Sequence, residues 1–186
     1  MPLTLTLPDW VPSIAHPGMI VAQDDDRMRL AIRLARENVE RATGGPFGAA
    51  VFERHTGRLV GVGVNSVVRL NTSLVHAEVM AIADAQGRLG SWTLGAEGMP
   101  AHDLFSSCAP CAMCLGATLW SGVKRLVCAA AQEDAEALGF DEGPVFAESY
   151  AHLVRAGIDV VQDYQREDAQ GVFKLYRERG GPIYNG

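Results

Sequence analysis

Two short segments hold residues that can do chemistry together: His76-Ala77-Glu78 and Pro110-Cys111-Ala112-Met113-Cys114. One imidazole and two thiolates make three ligands for a zinc ion. A tetrahedral zinc with three protein ligands keeps its fourth position for water, which marks a catalytic rather than a structural site. Glu78, two residues after the histidine, is then the carboxylate within reach of that water. Cys111 and Cys114 are three apart and share one face of a helix. Pro110 suits the first helical position, where no N–H is left unpaired. The N–H groups and dipole of a helix N-terminus also lower thiol pKa values.

C-x-x-C alone reads equally well as a redox dithiol at a strand–helix junction. The upstream H-x-E, the strand between the two segments and the proline before Cys111 select zinc. Cys108 extends the run to C-x-x-C-x-x-C, and as a fourth ligand it would turn the site into a closed zinc scaffold. It is read instead as a small buried residue closing a strand. Cys128 reads as core, because free cysteine is among the most buried residue types. His16, His55, His102 and His152 have no partner motif and read as surface or structural.

These residues need elements to position them. Residues 1–23 carry four prolines and no periodicity, which predicts an extended arm packed on the surface. Asp24-Asp25-Asp26 opens a helix with acids where a helix N-terminus favours them. Met28, Ala31, Ile32, Ala35 and Val39 form its apolar face, and Gly44-Gly45-Pro46 ends it. Strands are expected at 49–53 and 59–64, joined around Thr56-Gly57. Helix 76–86, strand 103–107, a helix from Pro110 to before Gly122, and strand 125–130 follow. A glycine-bounded loop, Gly139-Phe140-Asp141-Glu142-Gly143-Pro144, precedes helix 146–155, strand 158–161 and helix 164–179. Alternating strands and helices predict an α/β fold, a three-layer α/β/α sandwich. It forms one domain over 24–179, with 180–186 as a C-terminal tail.

Composition narrows the function. The 186 residues suit one compact domain. Sixteen basic against twenty-two acidic residues give a net charge of −6, which disfavours a phosphate-tracking nucleic-acid surface and favours a small neutral substrate. Three of the four cysteines lie within seven residues, too close for a disulfide framework, and point to a reducing compartment. The N-terminus has neither the basic region nor the apolar run of a signal peptide. No stretch approaches the roughly 20 apolar residues of a membrane span. The expected location is cytoplasmic, with no membrane or nucleic-acid partner.

H-x-E followed by P-C-x-x-C is a known signature of zinc-dependent base deaminases. At these residues the chain resembles the cytidine/deoxycytidylate deaminase superfamily, and within it the bacterial guanine deaminases. The resemblance covers residues 24–145 and the tail. It also rests on Gly44-Gly45-Pro46-Phe47-Gly48-Ala49, on Leu115-Gly116-Ala117 after the second cysteine, and on Glu136 to Gly143. It implies a cytidine-deaminase-like fold with a central mixed sheet, and hydrolysis of guanine to xanthine and ammonia. His76, Cys111 and Cys114 would hold one Zn2+ per chain, with Glu78 as general acid/base. Glu142 would be a second catalytic carboxylate. Asn65 would hydrogen-bond the base, Phe47 and Trp120 would stack on it, and Ala77, Asp141 and Tyr184 would also contact it.

The closing Ile183-Tyr184-Asn185 looks like a subgroup that also accepts an aminated triazine. The resemblance further implies a homodimer in which the tail, Gly180 to Tyr184, crosses to cover the partner's active site. Other rings remain open as substrates: an aminotriazine, a guanine nucleoside, cytosine or a pterin. So does the adenosine of a tRNA. One departure stands out: the family places Glu immediately before Pro-Cys, and here the residue is Ala109. That Glu is neither ligand nor proton carrier, so the chemistry should survive while the support of the ligand-bearing turn changes.

Overall fold

The computed structural model describes residues 4–185; residues 1–3 and 186, at the ends of the expected arm and tail, lie outside the described residues. After a short 3-10 turn at Val11–Ser13, the chain runs α1 (Asp24–Glu40), β1 (Gly48–Glu53), β2 (Leu59–Val64), α2 (Val67–Leu70), α3 (Ala77–Leu89), β3 (His102–Cys108), α4 (Ala112–Ser121), β4 (Arg125–Ala130), α5 (Gln132–Glu136), α6 (Ala147–Arg155), β5 (Asp159–Val161) and α7 (Arg166–Glu178). The sheet order is β2-β1-β3-β4-β5. β1 pairs antiparallel with β2 and β3, whereas β3–β4 and β4–β5 are parallel. The sheet is therefore mixed, as expected.

Strand alternation divides the core into two layers. Ala50 and Phe52 of β1 and Val127 and Ala129 of β4 pack with α1 and α7. Ala49, Val51, Leu126 and Cys128 face the other way, with α3 and α4. All five apolar residues expected on α1 are buried. Phe52 and Phe105 meet edge to face at 5.6 Å, and the buried Arg27 guanidinium lies 5.5 Å from the Phe52 ring.

The arm departs from expectation. Val11, Ile14, Ala15 and Val21 are buried in the first core layer. Val21 N–H donates to Gly57 O at 2.9 Å and Leu59 N–H to Met19 O at 2.8 Å, so the arm extends the β2 edge. Arg27 Nε donates to Val21 O at 2.9 Å. The arm's prolines do not prevent burial, because the residues after Pro17 find carbonyl and amide partners on the β1–β2 hairpin. α2 and α5 are further elements without a counterpart in the periodicity, being too short to show one. α4 starts two residues later than expected, with Cys111 as its N-cap, so Pro110 lies just outside the helix.

The tightest layer contact sits under α3. A Cβ on Gly63 of β2 would lie 2.0 Å from Ala77 O and 2.5 Å from Ala81 N. Glycine there lets the first turn of α3 rest directly on the sheet.

Candidate active site

Two helix N-termini converge at one end of the sheet. His76 is the N-cap of α3 and Cys111 the N-cap of α4, both extended in backbone, and Cys114 lies one turn into α4. Cys111 Sγ is 3.5 Å and Cys114 Sγ 3.7 Å from His76 Nδ1. The ligand atoms of these three residues all lie within 4.8 Å of one another. The donor set is one borderline nitrogen and two sulfurs on rigid helix starts, which fits zinc. Cys108 does not join them: its thiol points to Ala131 O, 3.8 Å away, and burial pushes its pKa well up. Three protein ligands leave one coordination position, which favours an open site over a closed scaffold.

Glu78 lies beside the group. Its Oε2 is 3.4 Å from Cys114 Sγ, and its Oε1 accepts from Ser106 Oγ of β3 at 3.1 Å. Burial, then the charge on Cys111, raises its pKa. The Cys114 contact lowers Cys111 to about 4, against its burial, with His76 assisting. Burial would lower His76, but the Cys111 contact and charge outweigh it and raise the imidazole. Glu142 is buried in the loop that follows α5, and burial together with Cys111 and Glu78 raises it to about 8. Burial thus favours the proton on both carboxyls, and perturbed carboxyls of this kind are candidates to hold and pass protons.

A small cleft over this group is lined by Phe47, Asn65, His76, Glu78, Ala109, Cys111, Glu142, Tyr184 and Asn185. Asn65, 1% exposed, accepts from Val67 N–H through Oδ1 at 3.3 Å. Its Nδ2 is buried without a partner among the described residues, a donor ready for a ligand. Phe47 packs edge-on against Phe140 at 5.1 Å and Phe173 at 5.6 Å, and Tyr184 lies 5.0 Å from Phe140. These rings make an apolar wall. A Cβ on Gly45 would lie 2.5 Å from Tyr184 Oη, so glycine there admits the tail. The tail covers the cleft of its own chain, with Tyr176 Oη donating to Pro182 O at 2.6 Å.

Ala77, wholly buried, lies under the cleft against β2 and is not in its lining. Two other expected contacts point elsewhere. Trp120 is 79% exposed, because Cys114, Leu115, Thr118 and Ser121 form the inward face of α4 and position 120 falls opposite. Asp141 is exposed, and its Oδ1 accepts from Gly143 N–H at 2.8 Å, a turn contact that shapes the Glu142 loop. Ala109 lines the cleft, and its N–H donates to Ala130 O at 2.7 Å. The ligand turn is thereby anchored to β4 through backbone.

Two residues that the sequence reading passed over complete the support. Ser106 orients Glu78. Asn38, buried on α1, donates through Nδ2 to Gly45 O at 2.8 Å and Asn65 O at 2.9 Å, tying the Gly45 and Asn65 backbones together. Its signal was a polar residue on the apolar face of α1, next to Val39.

Fold and site together define a zinc-site enzyme of the hydrolytic deaminase type. The model of the cytidine and deoxycytidylate deaminase zinc-binding region matches residues 21–130, and the chain belongs to that family. It is 38% identical over 123 residues to the guanine deaminase of Bacillus subtilis, covering 65% of this chain and 73% of that one. It is 34% identical to a tRNA-specific adenosine deaminase of Buchnera aphidicola, covering 60% of this chain and 69% of that one. Its structure is similar to that of the guanine deaminase from Nitrosomonas europaea, with a TM-score of 0.91 and 40% identity, covering 95% of this chain and 97% of that one.

Proposed function

We propose that the protein hydrolyses guanine to xanthine and ammonia. The observation that carries this reading is a small cleft in which the zinc-type triad, two buried carboxyls and the Asn65 Nδ2 donor meet against an aromatic wall. His76, Cys111 and Cys114 would hold a zinc ion, which would supply a nucleophile at neutral pH by lowering the pKa of water toward about 7.

The remaining steps belong to the side chains. The Phe47 wall takes one face of the ring, and Asn65 Nδ2 donates to a ring acceptor. Glu78, held by Ser106, takes the proton of the attacking water and delivers it to a ring nitrogen as the new C–O bond forms at C2. Glu142 passes a proton to the amino group as the C2–N bond breaks and ammonia leaves, and takes back the proton of the C2 hydroxyl as that group becomes the carbonyl of xanthine. A positioned proton donor is worth about 10²–10⁴-fold. Two features favour a free base over a tRNA adenosine: the net charge of −6 and the tail over the cleft.

We also read the protein as cytoplasmic and homodimeric. Four free, buried cysteines support the reducing compartment, and the homodimer is what the resemblance implies. Ammonia release from guanine, guanosine, ammeline, cytosine, adenine and pterins tests the substrate. Glu78→Gln should keep zinc and lose nearly all turnover, and Glu142→Gln should slow guanine at least tenfold. Preference for another ring, or substantial turnover by zinc-loaded Glu78→Gln, would refute the reading.

A further inference from the structure

The tail contributes a polar atom that the mechanism above does not use. Asn185 is tied to the backbone of Asp141 twice. Asp141 N–H donates to Asn185 O at 3.1 Å, and Asn185 Nδ2 donates to Asp141 O at 2.9 Å. A carbonyl oxygen only accepts, so the second contact fixes which way the carboxamide points. Nδ2 faces the loop, and Oδ1 is the free end. Oδ1 is buried and has no hydrogen-bond partner among the described residues, and Asn185 lines the cleft. A buried acceptor left unmatched is unfavourable, which leaves the cleft asymmetric. Asn65 Nδ2 is an unmatched donor, and Asn185 Oδ1 is an unmatched neutral acceptor on the roof.

We propose that Asn185 is a specificity-determining residue whose Oδ1 accepts a ring N–H of the bound base. A neutral heterocycle carrying both a carbonyl and a ring N–H satisfies Asn65 and Asn185 at once. A ring without the N–H leaves Oδ1 unpaired and binds more weakly. The inference deepens the guanine reading and rests on it.

The test measures the Kd of guanine by calorimetry in zinc-loaded Glu78→Gln protein, which binds without turnover. Adding Asn185→Leu keeps the bulk and removes the acceptor, and should weaken guanine about tenfold. Adding Asn185→Asp keeps an acceptor and, being ionised at neutral pH, gives up the donation to Asp141 O, so guanine should still bind more tightly than with Asn185→Leu. Among 1-, 7- and 9-methylguanine, the isomer lacking the N–H that Asn185 reads should bind equally well with and without the Asn185→Leu substitution. The proposal is overturned if Asn185→Leu leaves guanine binding unchanged. It is also overturned if Asn185→Asp is as weak as Asn185→Leu, or if all three methyl isomers lose affinity in parallel with guanine. Those results would make Asn185 a latch only. A Glu78→Gln parent that does not bind guanine at all would instead sink the guanine reading.

Discussion

The contact between Gly63 and the first turn of α3 is the place where one methyl group should disturb stability and site together. In Gly63→Ala the new Cβ would sit 2.0 Å from Ala77 O, 2.5 Å from Ala81 N and 2.9 Å from Met80 Cβ. Ordinary contact begins at 3.4 Å, so the nearest atom must retreat by 3.4 − 2.0 = 1.4 Å. That atom is helix backbone, so the helix start must move, taking His76 and Glu78 on either side of Ala77. Overpacking of this kind costs about 1–3 kcal/mol, and about 1 kcal/mol shifts Tm by roughly 2–4 °C at this chain length. A displacement of about 1 Å at the reacting groups costs about 10²-fold in rate. Metal–ligand distances tolerate only about 0.2 Å, so zinc occupancy should fall as well. Calorimetric melting, zinc content by atomic absorption and ammonia release read the three effects separately. Gly87→Ala on the same helix is the control: its Cβ meets nothing within 4 Å, and it should gain about 0.5–1 kcal/mol. Gly63→Ala with wild-type zinc content and turnover would refute the claim that this contact places the site.

Two other outcomes follow from separate parts of the molecule. After zinc is stripped with a chelator, iodoacetamide should label Cys111 first and zinc should protect it. Cys111 is 8% exposed, whereas Cys108, Cys114 and Cys128 are at 2% or less, and preferential labelling of Cys108 or Cys128, read by mass spectrometry, would contradict this packing. Asp134 binds Arg166 through both oxygens at 2.8 and 3.1 Å and accepts from Gln170. Burial would raise its pKa, but these partners together lower it. Its contribution is therefore fully present above the ordinary aspartate value of about 4 and is lost as pH falls through the lowered folded value. Between pH 7 and pH 3, Asp134→Asn should lose less Tm than wild type; an equal loss would show that the pair does not anchor α7.

Much of the site was legible because it is local. H-x-E and P-C-x-x-C place ligands and proton carrier by helix geometry alone, and the bounds of β2 and β4 coincide with those read from periodicity. Trp120 was misplaced by the resemblance, because Cys114, Thr118 and Ser121 mark the inward face of α4 and position 120 falls off it. Asp141 was not legible, because an acid in a glycine-bounded loop can face a ligand or cap its own turn with the same local sequence.

By itself, the sequence determined the three ligands, the carboxylate beside them and the alternation of strands and helices. Each depends on spacing within one element or on neighbouring residues. The tertiary structure decided what distance along the chain conceals. Ser106 reaches Glu78 across 28 residues, and Asn38 holds Asn65 across 27. The tail brings Asn185 to Asp141 across 44. Such pairs form only when sheet order and layer packing bring separate elements together, and a buried polar atom finds its partner wherever the fold places one. The arm followed the same rule: its apolar residues found an open face beside β2, where its own periodicity predicted no element.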